Sequence, residues 1–269
     1  MKFYLLWIFV CIHANSSLCA NNYLRLADIR SIALGGNGVT QTVIFNPSLV
    51  SLLNGKNIRI NSFCLYGIKE LNHLSADFSY FNETLPFNGY ISSFGYDEYR
   101  ENTFRLSVAK NLLQRWYLGI SIQYCFLQTE LLTDRLSYLS TDLGITFLPV
   151  DKLLIGLVFM NVPSFYVRND LSDLEYFSNY SVQIGFQWIF INNVLIMSSL
   201  EKNKNSFLYH VGLEYIIDDK FFVRSGFQTK PLCPSMGVGY SIYSFVFDVV
   251  AVYHPVLGIS SGIGLSFSF

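Results

Sequence analysis

The sequence predicts an all-β protein: a transmembrane up-and-down antiparallel β-barrel of about 14 strands with an N-terminal hatch segment. Three observations carry that expectation. The 269 residues are 51% hydrophobic but only 14% charged, and the mean hydropathy is +0.34. Soluble domains carry about a quarter charged residues. Beyond the first residues, however, no apolar run approaches the ~18 residues that a membrane helix needs. The final stretch alternates strictly, with Ile263, Leu265, Phe267 and Phe269 set against Gly262, Gly264, Ser266 and Ser268. A period of two sends these sets to opposite faces of one strand, greasy on one side and small on the other. The alternative, a strand of a soluble sandwich, normally shows water long polar side chains. Third, the connections between apolar stretches alternate in length, short then long, as in barrels whose two rims face different compartments.

The elements follow in order. Residues 1–20 read as a cleavable secretory signal, with Lys2 as the charged start, Phe3 to Ile12 as the apolar stretch and Ala20 before the cut. Cys19 admits a lipoprotein, although Leu18 directly before it fits that processing poorly. Residues 21–55 form the hatch, where Gly35, Gly36 and Gly38 permit unusual backbone angles or close packing. Asn46 before Pro47 is placed to start a short helix. A phosphate loop is a poor alternative, because no Lys-Ser/Thr ending follows the glycines.

Residues 56–269 form the barrel. Its alternation is clearest at Val182, Ile184, Phe186 and Trp188, and again at Leu118, Ile120, Ile122, Tyr124 and Phe126. Tight connections are expected at Leu112–Gln114, Pro149–Lys152, Asn192–Asn193, Asp218–Asp219 and Tyr243–Ser244. Longer loops are expected at Glu98–Thr103, Gln128–Ser137, Val162–Ser178, Glu201–Ser206, Gln228–Ser235 and His254–Gly258. Counting back from the closing strand gives an even strand number, with both barrel ends on the short-turn side. Trp116, Tyr117, Trp188 and Tyr215 fit interfacial girdles.

With the apolar sets facing lipid, the complementary sets face inward. The expected lumen-lining residues are Arg59, Asp77, Arg105, Asp142, His210, Glu214, Arg224, Asp248 and His254. Both charge signs occur, which suits an ion-pair network bracing the N-terminal segment, with a selective pore lining as the alternative. A formal net charge of -1 gives no electrostatic case for nucleic acid. Cys64, Cys125 and Cys233 remain after the signal, an odd set without CxxC spacing that forms neither a disulfide framework nor a metal site. His73, His210 and His254 show no metal spacing. No GxSxG is present, so an outer-membrane lipase or protease has no motif behind it and no enzymatic activity is expected. No cofactor is expected either.

Two groups of residues carry a family resemblance. Ala33-Leu-Gly-Gly-Asn-Gly-Val39 followed by Phe45-Asn-Pro-Ser-Leu49 is similar to the glycine-rich opening and Asn-Pro element of the PorV/PorQ group of outer-membrane proteins. That group is related in turn to the FadL long-chain fatty-acid transporters. Val211–Tyr215, Phe222–Phe227, Gly237–Tyr240 and Tyr253–Gly258 resemble the same group. The middle of the chain agrees only in strand pattern. The resemblance implies a Gram-negative outer-membrane barrel with its hatch in the lumen, assembled by the barrel assembly machinery. It implies passage of hydrophobic small molecules or, alternatively, an accessory role beside type IX secretion-system components. The chain departs from the family in a short hatch without an acidic stretch, in Ser48 where Ala is usual, and in modest outer loops. Those departures point away from a large substrate.

Overall fold

The computed structural model describes residues 28–129, 136–168, 180–203 and 206–269. The expected signal peptide lies outside the described residues. Among the described residues, a short helix, α1 (Ile29–Ala33), and a 3-10 turn at Pro47–Leu52 precede a succession made almost entirely of strands. The strands are β1 (Lys56–Cys64), β2 (Asn72–Tyr80), β3 (Phe87–Tyr96), β4 (Tyr99–Leu113), β5 (Trp116–Thr129), β6 (Leu136–Val150), β7 (Leu153–Met160) and β8 (Ser164–Arg168). They continue as β9 (Ser181–Ile191), β10 (Val194–Asn203), β11 (Phe207–Ile217), β12 (Phe221–Gln228), β13 (Cys233–Ile242), β14 (Phe245–His254) and β15 (Gly258–Ser268).

Every pairing is antiparallel, and the sheet closes on itself. β1 runs against β15 from Asn57↔Ser268 to Cys64↔Ser261. β5 pairs β6, and β7 pairs β9, so β1–β7 and β9–β15 make one ring of fourteen strands with β8 as an extra strand. Closure leaves no edge in the ring and satisfies the backbone within it, which is what a sheet in lipid requires.

Inside-out patterning explains the composition. Ile120, Ile184, Phe247 and Ile263 are exposed, while Ser121, Gln183, Asp248 and Gly264 point inward. Aromatic stacks gather at the short-turn rim: Trp116 on Phe147 at 4.3 Å, Phe221 on Tyr240 at 4.4 Å, and Phe245 on Phe267 at 4.6 Å. Asp218 and Asp219 both take positive φ, 50° and 56°, in the tight β11–β12 turn. Such angles twist a hairpin the way its strands twist.

Two expected loops are corrected. Val162–Ser178 is not loop throughout, because Ser164–Arg168 forms β8 and pairs β6 at Ser140↔Ser164 and Leu139↔Phe165; the remainder of that stretch falls outside the described residues beyond Arg168. β8 extends β7 along the same neighbour after an irregularity at Asn161–Pro163, with Asn161 at φ 58°. Five residues are too few to show a strand period, and β8 is held by the upper end of β6. Likewise Glu98–Thr103 is not a loop. Asp97 and Glu98 alone connect β3 to β4, and Glu101 and Thr103 are inward members of a tall strand.

Candidate functional site

The lumen is occupied by the chain's own residues 28–53. Asp28 caps α1 by accepting from the Ser31 amide at 3.0 Å. From there the segment circles the inner wall in descending strand order. Ile29 lies on β15 at Gly262 and Gly264, Ala33 on β13 at Gly237, and Leu34 between β11 and β12 at Gly212 and Gly226. Asn37 receives the Ser199 hydroxyl of β10 at 2.8 Å. Val39 presses on Gly185 of β9 and Gly156 of β7, Asn46 on Gly144 of β6, and Pro47 on Gly119 of β5. Val43, Ile44, Phe45, Leu49 and Val50 then form a buried cluster with Tyr90 and Ala109.

The wall glycines are what let this happen. A Cβ on Gly119 would sit 2.3 Å from the Pro47 carbonyl carbon, and one on Gly226 would sit 2.3 Å from the Gly35 nitrogen. No side chain fits where two backbones come that close. Within the hatch, Gly35 and Gly36 hold φ of +74° and +82°, the left-handed region where glycine alone is unstrained, and a Cβ on Gly38 would overlap the Phe45 ring. Asn46 is the N-cap of the 3-10 turn, accepting from the Ser48 amide at 3.1 Å, with Pro47 at the first position. Its amide nitrogen donates to the Val39 carbonyl at 2.8 Å and to the Thr146 hydroxyl at 3.0 Å.

The charged residues form three groups, each reaching the hatch. In the first, Arg30 of α1 pairs with Glu214 at 2.7 Å. Glu214 also accepts from Arg224 at 2.5 Å, and Arg224 continues to Asp248. In the second, Arg59 holds Asp77 at 3.0 Å and Asp28 at 3.3 Å. In the third, Arg105 binds Asp142 and the Ile44 carbonyl, with Gln123 accepting at 3.0 Å. Asp142 also accepts from the Asn161 amide at 2.7 Å, which connects the hatch clamp to the irregular junction between β7 and β8. His210 sets its Nδ1 at 2.7 Å from the Gly35 carbonyl, so that nitrogen carries the proton. Its Nε2 lies 3.5 Å from Glu201. A carbonyl can only accept, so Nδ1 is the donor in this contact.

Eight of the nine residues expected from sequence to line the lumen thus belong to these contacts. His254 stands apart: half-buried at the rim, it accepts the Val256 and Leu257 amides at 3.2 and 3.1 Å and meets the Tyr66 ring edge-on. Burial raises the Tyr66 hydroxyl above the ordinary tyrosine range, and Cys233 adds to the shift. Sequence reasoning missed Asp28, Arg30, Asn37, Thr146 and Ser235. Ser235 donates to the Ala33 carbonyl at 3.0 Å and accepts from Gly35 at 3.1 Å. Its place opposite Met236 in the alternation was the available signal. A small depression on the long-loop side is lined by Ile32, Gly35, Gly36, Gln228, Cys233, Ser235 and Val252. Cys125 and Cys233 are buried and Cys64 is half-buried, and none of the three forms a disulfide.

No family model matches the chain, and no curated protein matches it either. Solved structures do. The "CymD monoaromatic hydrocarbon channel" is 12% identical with a TM-score of 0.68, covering 93% of this chain and 99% of that one. The crystal structure of the P. putida toluene transporter TodX is 9% identical with a TM-score of 0.63, covering 89% and 97%. The Acinetobacter baumannii outer membrane protein Omp33 is 10% identical with a TM-score of 0.54, covering 81% and 100%. At these identities the likeness is one of fold, and the fold is that of Gram-negative outer-membrane barrels.

Proposed function

We propose that this chain is an outer-membrane barrel through which small hydrophobic molecules cross, with residues 28–53 as its gate and residues 1–20 as the signal that exports it. The observation that carries the proposal is the hatch. It lies within a closed, lipid-suited wall and is held by ion pairs and hydrogen bonds from nearly every side. Those polar contacts can exchange partners or water, while the apolar clusters at Ile29–Ala33 and Val43–Val50 must part from the wall for the gate to open. The neighbours described as hydrocarbon channels supply the substrate class. The irregular β7–β8 junction is joined through Asp142 and Arg105 to the hatch, and among the described residues the second edge of β8 has no strand partner. The named neighbours are a channel, a transporter and an outer-membrane protein, which supports a non-catalytic role.

Uptake of a small arene such as toluene into proteoliposomes tests this. The barrel is expected to raise uptake above that of empty vesicles. Asn37→Cys with Ser199→Cys, which would tie the hatch to β10, is expected to abolish the increase until a reductant is added. A barrel that never exceeds empty vesicles ends the reading. The filled lumen favours one second reading, an accessory barrel beside a type IX-like secretion system. Recovery of secretion components with the native barrel, together with no uptake, would select it.

A further inference from the structure

The outer rim of the wall is uneven, in length and in chemistry. β12, β13, β14, β15, β1 and β2 contain 8, 10, 10, 11, 9 and 9 residues. Tilted strands of about 9–11 residues just cross the apolar layer. β4, β5 and β6 contain 15, 14 and 15 residues, so they project well beyond it. The tall side ends in Asp97 and Glu98. On the short side a turn that met water should end in polar tips. Instead Leu232 of the β12–β13 turn is 61% exposed, Val256 and Leu257 of the β14–β15 turn are 83% and 50%, and Ile68 of the β1–β2 connection is 45%. The Leu232, Val256 and Leu257 tips continue the outward apolar faces of β13, β14 and β15, through Met236, Tyr253 and Ile259, without a charged residue between, whereas Ile68 is followed by the exposed Lys69 and Glu70.

We infer that this low rim is an interaction surface for lipid, with the turn tips at Leu232, Val256 and Leu257 submerged among the acyl chains of the outer leaflet and Ile68 at its margin. Single exposed apolar residues are ordinary, but contiguous ones continuous with a lipid-facing wall mark the same solvent. Lys230 in the β12–β13 turn and Lys69 in the β1–β2 connection are long enough to lift their ammonium groups to the headgroups while their stems stay in the apolar layer. The barrel therefore sits low on one side. The depression beside Gly35 and Gly36 lies beneath these turns, since Cys233 follows Leu232 and Val252 precedes the Val256 turn. A hydrophobic molecule dissolved in the leaflet would reach the hatch over this rim without passing through water. The inference rests on the outer-membrane reading above.

Depth-dependent quenching in proteoliposomes tests it. Val256→Trp is placed in a Trp116→Phe, Trp188→Phe background, and the emission of the introduced indole is quenched by brominated phospholipids or by aqueous iodide. The mature wild-type chain, whose Trp116 and Trp188 stand on the outward belt, reports the membrane reading itself. The expected result is that bromolipid removes at least half of the emission from position 256, while iodide quenches it at least tenfold less than free tryptophan. Asp97→Trp in the same background is expected to behave oppositely. Bromolipid quenching of the wild-type tryptophans with full iodide access to position 256 overturns the inference and leaves the membrane reading standing; no bromolipid quenching anywhere overturns both. Protection of position 256 that grows with the protein-to-lipid ratio would assign the rim to a second copy and also overturns it. Should the variants not fold, hydroxyl-radical labelling of the unaltered barrel in vesicles decides. Residues 255–257 should label at least tenfold more slowly than residues 96–99, each normalised to the unfolded chain, and equal rates overturn the inference.

Discussion

Arg224 shows what a single residue does in this lumen. It stands between Glu214 and Asp248, all three buried, and without it the two buried carboxylates would have Arg30 alone to answer them. Removing one partner of a buried ion pair costs about 3–5 kcal/mol, because the remaining charge stays desolvated and unpaired. Arg224→Ala is therefore expected to lower barrel stability by about that amount, measured by denaturant unfolding in micelles. The triple variant with Glu214→Gln and Asp248→Asn should recover much of the loss, since neutral amides tolerate the site better than bare carboxylates. The charged members of these groups were legible in the sequence because they interrupt apolar alternation on the face that lipid cannot cover. Their partners in the hatch, Asp28 and Arg30, were not legible. The hatch follows no strand period, and a helix of one turn carries too few positions to show a face.

At the scale of elements, the hatch and the wall specify each other through missing side chains. Gly119 and Gly144 are cross-strand partners on β5 and β6, and both face the Asn46-Pro47-Ser48 turn. A methyl group at Gly119 would meet Pro47 and Ser48 backbone at 2.3 Å, so the turn must move. Gly119→Ala is expected to destabilise the barrel by about 1–3 kcal/mol, the usual range for overpacking. Gly89 of β3 has open space where its Cβ would stand, so Gly89→Ala should change stability by less than about 1 kcal/mol, in the direction of gain as backbone freedom in the unfolded chain is reduced. Equal effects at the two positions, read from the same unfolding curves, would show that the hatch does not press on the wall. Asn46→Ala removes an N-cap and the bonds to Val39 and Thr146, and about 1–2 kcal/mol is expected from the cap alone. The individual glycines were visible in the sequence as the small face of each strand. Only the course of the hatch shows that they form a track around the lumen. The short strand β8 escaped notice because five residues offer too little period, and its pairing depends on the tall end of β6 rather than on its own composition.

At the scale of the whole molecule, the alternation of apolar and small residues gives closure and lipid solubility, and the same alternation makes the wall hollow. Fourteen strands enclose more room than their own inward side chains fill, since even smaller barrels hold ligands or plugs. The hatch occupies that room, with residues 28–50 almost wholly buried. The barrel class was legible because period two and turn length are local properties repeated along the chain. That an N-terminal hatch fills the lumen was expected, but its course around the wall was not legible, because it depends on contacts between residues as distant as Asn37 and Ser199. Deleting residues 21–53 tests the consequence directly. The wall pairs Arg59–Asp77, Arg105–Asp142 and Arg224–Glu214–Asp248 are complete without the hatch, so the ring should still close and remain resistant to protease in vesicles. Its lumen would then be an aqueous pore lined by charge. Planar bilayers should show discrete ion conductance with the deleted form and little with the intact chain. If the truncated chain closes yet conducts no better than the intact one, the hatch is not what blocks the lumen; if it does not close at all, the hatch belongs to the core of the fold and gating must come from movement of only part of it.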